Sequence, residues 1–357
     1  MKILYGVVGT GMGHAIRSCV IVDWLLEAGH RVHLVASGDA VDFLEERFPE
    51  VSEIWGLSLV MGDNEVKKRV TAAKNIREAV SGLPKNAARF VEMERDFDPD
   101  LAISDFETWS WAFAKLHGIP VIGLDNVQAI NRCRHDEEIL EGYRDEFRLA
   151  KSFVKARCPA AAHYIVPMFA PMGVRKPRTT LVPPVLRPMI LQAEASEGEH
   201  LLVYQSSDSF PDIEELLLDL DRPVRAYGVR GGLDGSVQRD NVTFRPFGEE
   251  QFVEDLASAA GVVASAGFTL ISEALHLGKP YLATPIGDQF EQILNARYVE
   301  TLGYGMCAED FDDVALDAFL HRLPRYAEAL ESYEPHDNGE TFRQLDYQFE
   351  RYRRGEI

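Results

Sequence analysis

The sequence predicts an α/β protein of two domains whose parallel sheets face an interdomain cleft. Three observations carry this expectation. Short apolar runs alternate with longer helical patterns, and runs this short and apolar indicate parallel strands covered on both faces. The alternation breaks once, at the proline-rich "VPPVLRP" (182–188) and the polar "LQAEASEGEH" (191–200), and then restarts. A chain of 357 residues exceeds one ordinary core and suits two domains of about 150–200 residues. The boundaries expected are 1–185, 186–335, and a terminal helix at 336–357 packing back toward the first domain.

In the first half, strands are expected at 2–8, 31–36, 53–57, 101–105, 121–125, 163–167 and 179–184, with helices at 14–28, 65–80, 107–117 and 136–157. Three prolines make 182–188 a stiff linker. The second half repeats the pattern with strands at 201–205, 224–229, 242–247, 261–265 and 281–286, and the tail 341–354 reads as a helix ending in basic residues. In sheets of this kind ligands bind outside the carboxyl ends of the strands, so those ends are where chemistry is expected.

Composition narrows the partners. Asp and Glu number 57 against 37 Lys and Arg, a formal net charge of −20. Such a surface repels phosphate backbones, so nucleic acid is not expected, although one pocket can reverse the field locally for a nucleotide. No stretch approaches the ~20 apolar residues of a membrane span. The start "MKILYGVVG" lacks the pattern of a signal peptide. Cys19, Cys133, Cys158 and Cys307 show no metal-ligand spacing and fit a reducing compartment, so a cytoplasmic location is expected. Against the acidic background stands a basic group, Arg132, Arg134, Lys151, Lys155, Arg157, Arg175, Lys176 and Arg178. It reads either as a solvated helix face or as an attraction for an anionic acceptor or a membrane surface.

The first strand ends in "GTGMGH" (9–14). A dinucleotide fingerprint would carry glycine where His14 stands and an acid closing the second strand, yet that acid is delayed to Asp39. Gly11 and Gly13 still let the backbone approach a ligand and leave helix amides facing the cleft. Asp105 and Asp125 end the fourth and fifth strands, on the rim expected to carry His14. A carboxylate beside an imidazole fixes its tautomer, the arrangement a general base needs. Asp105 as a cap of the following helix, and His14 as an idle helix-start residue, are the plain alternatives.

The second domain carries the longest motif, "GVVASAGFTLISEALHLGKPYLATPIGDQFEQILNARYVETLGYG" (261–305). The turn "SAGFT" opens a helix whose free amides can hold a diphosphate without metal. Glu273 lies one to two turns into that helix, where it can accept from ribose hydroxyls. Asp288 and Gln289 follow the next strand, and a carboxylate and an amide suit sugar hydroxyls. "DPD" (98–100) precedes a strand rather than following one and reads as a loop, not as a metal motif.

The segment closely resembles the donor signature of the GT-B nucleotide-sugar glycosyltransferases, the group of the UDP-glycosyltransferases and the peptidoglycan N-acetylglucosaminyl transferase. It matches at Gly267, Thr269, Glu273, Ala274, Gly278, Pro280, Pro285, Asp288, Gln289, Asn295 and Ala296. "GTGMGH", "ISDFETWS" and the two-domain layout extend the likeness over most of the chain. The resemblance implies the GT-B fold, two Rossmann-like domains. It implies an inverting, metal-independent transfer from a nucleoside-diphosphate sugar, with UDP or dTDP the expected carrier, to a hydroxyl or amine of a small-molecule, glycan or lipid-linked acceptor. The sugar nucleotide is a co-substrate and no further cofactor is implied. His14 would be the base and Asp105 its orienting partner. Ser265, Gly267, Phe268 and Thr269 would hold the diphosphate, Glu273 the ribose, and Asp288 and Gln289 the donor sugar. Groups around Phe247 would meet the nucleobase, Ser206 and Ser207 would touch phosphate, and Gly11, Gly13 and Asp125 would line the acceptor side. One departure stands out: the histidine that often opens the family's donor turn is replaced by Ser265, and Arg245 or Arg230 is the candidate source of the missing positive charge.

Two rival readings share the fold. "GMGHAIRS" also resembles the G-x-G-H-x-x-R stretch of nucleotide-sugar hydrolases, where water replaces the acceptor, and epimerases share the architecture. A binding protein without turnover is the other, motivated by the missing histidine; retention of His14 and Asp105 speaks against it.

Overall fold

A computed structural model describes residues 1–9, 11–56, 61–62, 65–66, 68–205, 213–287 and 289–357. Its first sheet is built from β1 (Lys2–Val7), β2 (Arg31–Ala36), β3 (Val51–Glu53), β6 (Leu101–Asp105), β7 (Val121–Leu124), β8 (His163–Pro167) and β9 (Thr179–Val182). They lie in the order β3-β2-β1-β6-β7-β8-β9, with every neighbouring pair parallel. A small antiparallel pair, β4 (Met61–Gly62) and β5 (Glu65–Val66), stands apart from it. The second sheet comprises β10 (Leu201–Tyr204), β11 (Val224–Tyr227), β12 (Val237–Arg239), β13 (Val242–Arg245), β14 (Gly261–Ser265), β15 (Tyr281–Thr284) and β16 (Gly305–Cys307). Its order is β12-β13-β11-β10-β14-β15-β16, and only the β12–β13 pair is antiparallel.

The apolar strands are buried on both faces because successive side chains alternate between two cores. Leu4, Ala102, Val121 and Tyr164 join one cluster, packed under the helices Thr108–Leu116 and Arg144–Arg157. Ile3, Tyr5, Val7, Ile103 and Ile122 join the other, packed under the helix Met12–Glu27 and the terminal helix Gly339–Arg353. That last helix stacks Phe342 on Trp24 with ring centroids 4.7 Å apart, so the end of the chain lies against the first sheet's helices.

Several boundaries depart from the sequence reading. The helix expected at 65–80 runs Lys68–Glu92 and continues as a π-helical turn, Met93–Phe97, stopped by Asp98 at a positive φ. The helix expected at 136–157 is shorter, Arg144–Arg157, because Gly142 at φ 84° breaks the pattern. The third strand lies at Val51–Glu53 rather than 53–57. The edge strand β12 was not expected; its three residues are exposed and show no apolar alternation.

Candidate active site

The site is built where β1 and β6 end side by side, Val7 pairing with Asp105. Gly11, at φ 80°, turns the chain into the helix Met12–Glu27, which places His14 in its first turn. Nδ1 of His14 lies 2.7 Å from Oδ1 of Asp105. Asp105 is fully buried, Arg17 nearly so, and His14 keeps 13% of its side chain exposed, the one member of the group open to solvent. Arg17 grips Asp105 with two prongs, Nε to Oδ2 at 3.0 Å and Nη2 to Oδ1 at 2.6 Å, and Ser18 Oγ donates to Oδ2 at 3.3 Å. Burial alone would raise the Asp105 carboxyl; Arg17, His14 and their hydrogen bonds overcome it and hold the group below its ordinary value. Nδ1 of His14 has two neighbours, Oδ1 of Asp105 at 2.7 Å and Nη2 of Arg17 at 2.8 Å. With its proton on Nδ1 the ring donates to the carboxylate and leaves Nε2 as its acceptor; with Nδ1 bare it accepts from Arg17 instead.

Arg17 was not singled out as a site residue from the sequence. A signal was present: it sits three residues after His14, on the same helix face, inside an otherwise apolar run. Such a cation must find a buried anion, and Asp105 is that anion. The network also continues. Arg17 Nη1 donates to Asn126 Oδ1 at 2.8 Å, and Asn126 Nδ2 donates to Glu291 Oε1 at 2.6 Å, on the helix Phe290–Thr301 of the second domain. Asp125, next to it, is buried. Its Oδ1 accepts from the Gln128 amide at 2.9 Å while Oδ2 has no partner among the described residues. Burial first, and the charge on Asp105 second, push its carboxyl up to about 8.

The turn before the helix Phe268–His276 meets this rim. Gly267 precedes the helix Phe268–His276, whose first-turn amides have no side-chain cap among the described residues. Thr269 Oγ1 donates to the Gly13 carbonyl at 3.2 Å, so two helix N-termini meet across the domains. Both carry partial positive charge where an anion would sit. Phe268 packs on Phe169, ring centroids 5.7 Å apart, and Asn295 Nδ2 holds the turn through the Ala266 carbonyl at 3.0 Å. The Ser265 carbonyl accepts from Tyr281 at 2.8 Å. Gln289 precedes the helix Phe290–Thr301. Phe247 is exposed, edge-on to Tyr204.

Other residues are placed differently from expectation. Glu273 is buried and held by Arg187, from the interdomain linker, through two bonds of 2.7 Å. Arg245 is bound to Asp255 at 3.0 Å, and Arg230 to Glu214 while its guanidinium lies 4.0 Å from the Phe244 ring centroid. Neither arginine stands free to replace the missing histidine. The basic group divides: Arg132 lies 3.6 Å from the Tyr164 ring centroid and bonds Thr179, a packing role, whereas Lys155 is exposed. Ser206, Ser207 and Asp288 lie outside the described residues. Among the described residues no group of three His, Cys, Asp or Glu side chains is placed to hold a metal.

Two parallel-dominated sheets, with helix termini and a histidine–carboxylate pair at their facing rims, define the GT-B class of glycosyltransferase. The chain belongs to glycosyl transferase family 1, whose profile matches residues 1–324. It is similar to an uncharacterized glycosyltransferase of Methanosarcina mazei, 26% identical over 332 residues and 85% of each chain. It is also similar to a UDP-N-acetylglucosamine–N-acetylmuramyl-(pentapeptide) pyrophosphoryl-undecaprenol N-acetylglucosamine transferase of Bacillus thuringiensis, 31% identical over 159 residues and 43% of each chain. Among solved structures it superposes on the glycotransferase of kitacinnamycin with a TM-score of 0.64 at 20% identity, over 93% of each chain.

Proposed function

We propose that this glycosyltransferase moves a sugar from a nucleoside-diphosphate carrier, UDP or dTDP, to an acceptor hydroxyl or amine, with inversion and without a metal ion. The carrying observation is the His14–Asp105–Arg17 network set against the uncapped N-terminus of the helix Phe268–His276. Nε2 of His14 takes the acceptor proton as the nucleophile attacks the anomeric carbon. The diphosphate leaves from the opposite face into helix amides that stabilise its charge. A single direct displacement inverts the centre. Glu273 retains acceptor capacity beyond its two bonds to Arg187 and meets the ribose. Gln289 and Asp288 meet the sugar. The name of the Bacillus thuringiensis relative, a UDP-sugar transferase, supports the choice of carrier.

The test begins with thermal-shift titration of UDP, dTDP and their sugars, since a ligand of the native state raises its melting point. Turnover of the best donor is then followed with and without EDTA. His14→Ala should bind the donor nearly as well and lose about 10²–10⁴-fold in turnover. Asp105→Asn should lose no more, and the double variant should be no worse than His14→Ala, because an orienting partner has nothing left to orient. Full activity in His14→Ala, or EDTA loss restored by magnesium, would refute the reading. Hydrolysis is the second reading, favoured by one observation: Arg17, the last residue of the G-x-G-H-x-x-R stretch, is part of the network. Free sugar released without acceptor distinguishes it.

A further inference from the structure

The linker between the domains sends one side chain into the second of them. Leu186 is clamped by Asn338, at the start of the terminal helix: its amide donates to Asn338 Oδ1 at 2.9 Å, and its carbonyl accepts from Nδ2 at 2.8 Å. Pro188 opens the helix Pro188–Gln192 and restricts the residue before it to extended backbone, φ −61° and ψ 146° at Arg187. The backbone of Arg187 is therefore fixed from both sides. Its side chain runs to Glu273, on the helix Phe268–His276.

Every nitrogen of that guanidinium is used. Nε donates to Glu273 Oε1 and Nη2 to Oε2, both at 2.7 Å, and Nη1 donates to Glu249 Oε1 at 3.1 Å. The Glu273 side chain is 2% exposed and that of Arg187 11%. A fork that gives one bond to each oxygen sits at the end of the carboxylate, along the two lone pairs that lie side by side. The other two lone pairs, one on each oxygen, point to opposite flanks. A ribose diol can hold a carboxylate with both hydroxyls only at that end, where two acceptors are adjacent. From a flank it reaches one. A neutral diol does not displace the fork, because the guanidinium bonds are charge-assisted and breaking them would part an ion pair shielded from water.

We propose that Arg187 sets the ribose specificity of the donor site: it leaves Glu273 able to accept from a single ribose hydroxyl, so the site takes ribose and 2′-deoxyribose carriers alike. The inference rests on the reading of Glu273 as the partner of the ribose and deepens it by naming the class of carrier. That class is the nucleoside diphosphates that keep the 3′-hydroxyl, with the 2′-hydroxyl dispensable. A deoxyribose carrier loses nothing here, because the bonds a second hydroxyl would make already belong to the linker.

Calorimetry on the full chain compares UDP, 2′-deoxy-UDP and 2′,3′-dideoxy-UDP, or the same three forms with thymine if that base binds better. The first two should agree within about threefold, less than one hydrogen bond to a charged group is worth, and the dideoxy form should bind about tenfold or more weakly. Arg187→Met frees the end of the carboxylate, so 2′-deoxy-UDP should fall behind UDP by about tenfold. Arg187→Lys keeps the charge without the fork and should give an intermediate ratio. A general disturbance of the fold weakens both nucleotides together, so their ratio reads this contact alone. A tenfold preference of the parent for UDP over 2′-deoxy-UDP, or a ratio unmoved in both variants, overturns the proposal and leaves Glu273 at the ribose. No binding by any of the three, or equal binding of the dideoxy form by the parent, overturns the reading of Glu273 itself and this proposal with it.

Discussion

Removing the Arg17 side chain gives the most direct test of the site's construction. Arg17→Met keeps the length and apolar character of the stem but deletes the fork. Asp105 then loses its bonds to Nε at 3.0 Å and Nη2 at 2.6 Å, and Asn126 loses its bond to Nη1 at 2.8 Å. His14 and Ser18 remain as the carboxylate's partners among the described residues. A buried charge stripped of its partner costs about 3–5 kcal/mol. In a domain of 150–250 residues that lowers Tm by roughly 6–20 °C. Arg17→Lys restores the charge without the fork and should lose less. Adding Asp105→Asn to Arg17→Met removes the stranded charge, so the double variant should be more stable than the sum of the two single losses by at least about 1 kcal/mol. The pH dependence provides a further sign. In the native protein Asp105 titrates below its unfolded value, so its contribution is present above the unfolded pKa and is lost as pH falls through the lower folded one. Losing Arg17 lets burial raise the carboxyl, so the variant's deficit narrows on acidification. Urea denaturation across pH measures all of this. A loss within about 0.5 kcal/mol, the scale of a neutral surface change, or strict additivity in the double variant, would refute the buried-pair argument.

Three other outcomes follow from single features. Asp125, raised by burial to about 8, holds its proton in the folded state while an unfolded Asp releases it, so stability falls as pH rises from about 4 to 8. Asp125→Asn should flatten that slope and stabilise the protein at pH 9, by at most about 6 kcal/mol on the scale of 1.36 kcal/mol per unit; a slope unchanged in the variant would show that Asp125 titrates normally. Gly13→Ala should destabilise although alanine is the better helix former by about 1 kcal/mol, because its Cβ would come within 2.6 Å of Thr269 Oγ1; Gly13→Ala/Thr269→Ala should recover part of the loss in a thermal melt. Glu273→Ala should weaken nucleoside-diphosphate binding by about 1–3 kcal/mol in calorimetry and lower Tm as well, since Arg187 loses two bonds; unchanged affinity in the folded variant removes Glu273 from the donor site.

What the sequence makes legible is what local rules control. The strands are visible because a parallel sheet covered on both faces demands uninterrupted apolar runs, and "LAISD" and "VIGLD" then place Asp105 and Asp125 at one rim by topology alone. The break at Gly142 and the extension of the helix Lys68–Glu92 through Pro84 were missed for opposite reasons. A single positive-φ glycine ends a pattern that composition would continue. A proline that composition would treat as a stop is instead tolerated inside a helix anchored by Gly82, Asn86 and Phe90.

The partners of the site residues are a different matter, because they are set by tertiary contact. The spacing of "GMGHAIRS" puts His14 and Arg17 on one face, yet only the pairing of Val7 with Asp105 decides that the arginine closes on that carboxylate. Likewise, Glu273 sits in a motif that implies a ligand, but its first partner is Arg187, 86 residues away. Both arginines solve the same problem. Each buried acid is met by the fork of an arginine, and at Asp105 that cation, with His14, outweighs burial and holds the carboxyl below its ordinary value. Asp125 has no such cation in direct contact among the described residues, and burial displaces its carboxyl upward. The distinction between an acid held ionised and one held neutral at the same rim is therefore drawn by where the arginines land. The proposed mechanism draws on this difference, taking Asp105 as the orienting partner of His14 and Asp125 as a group suited to donate a hydrogen bond to an acceptor.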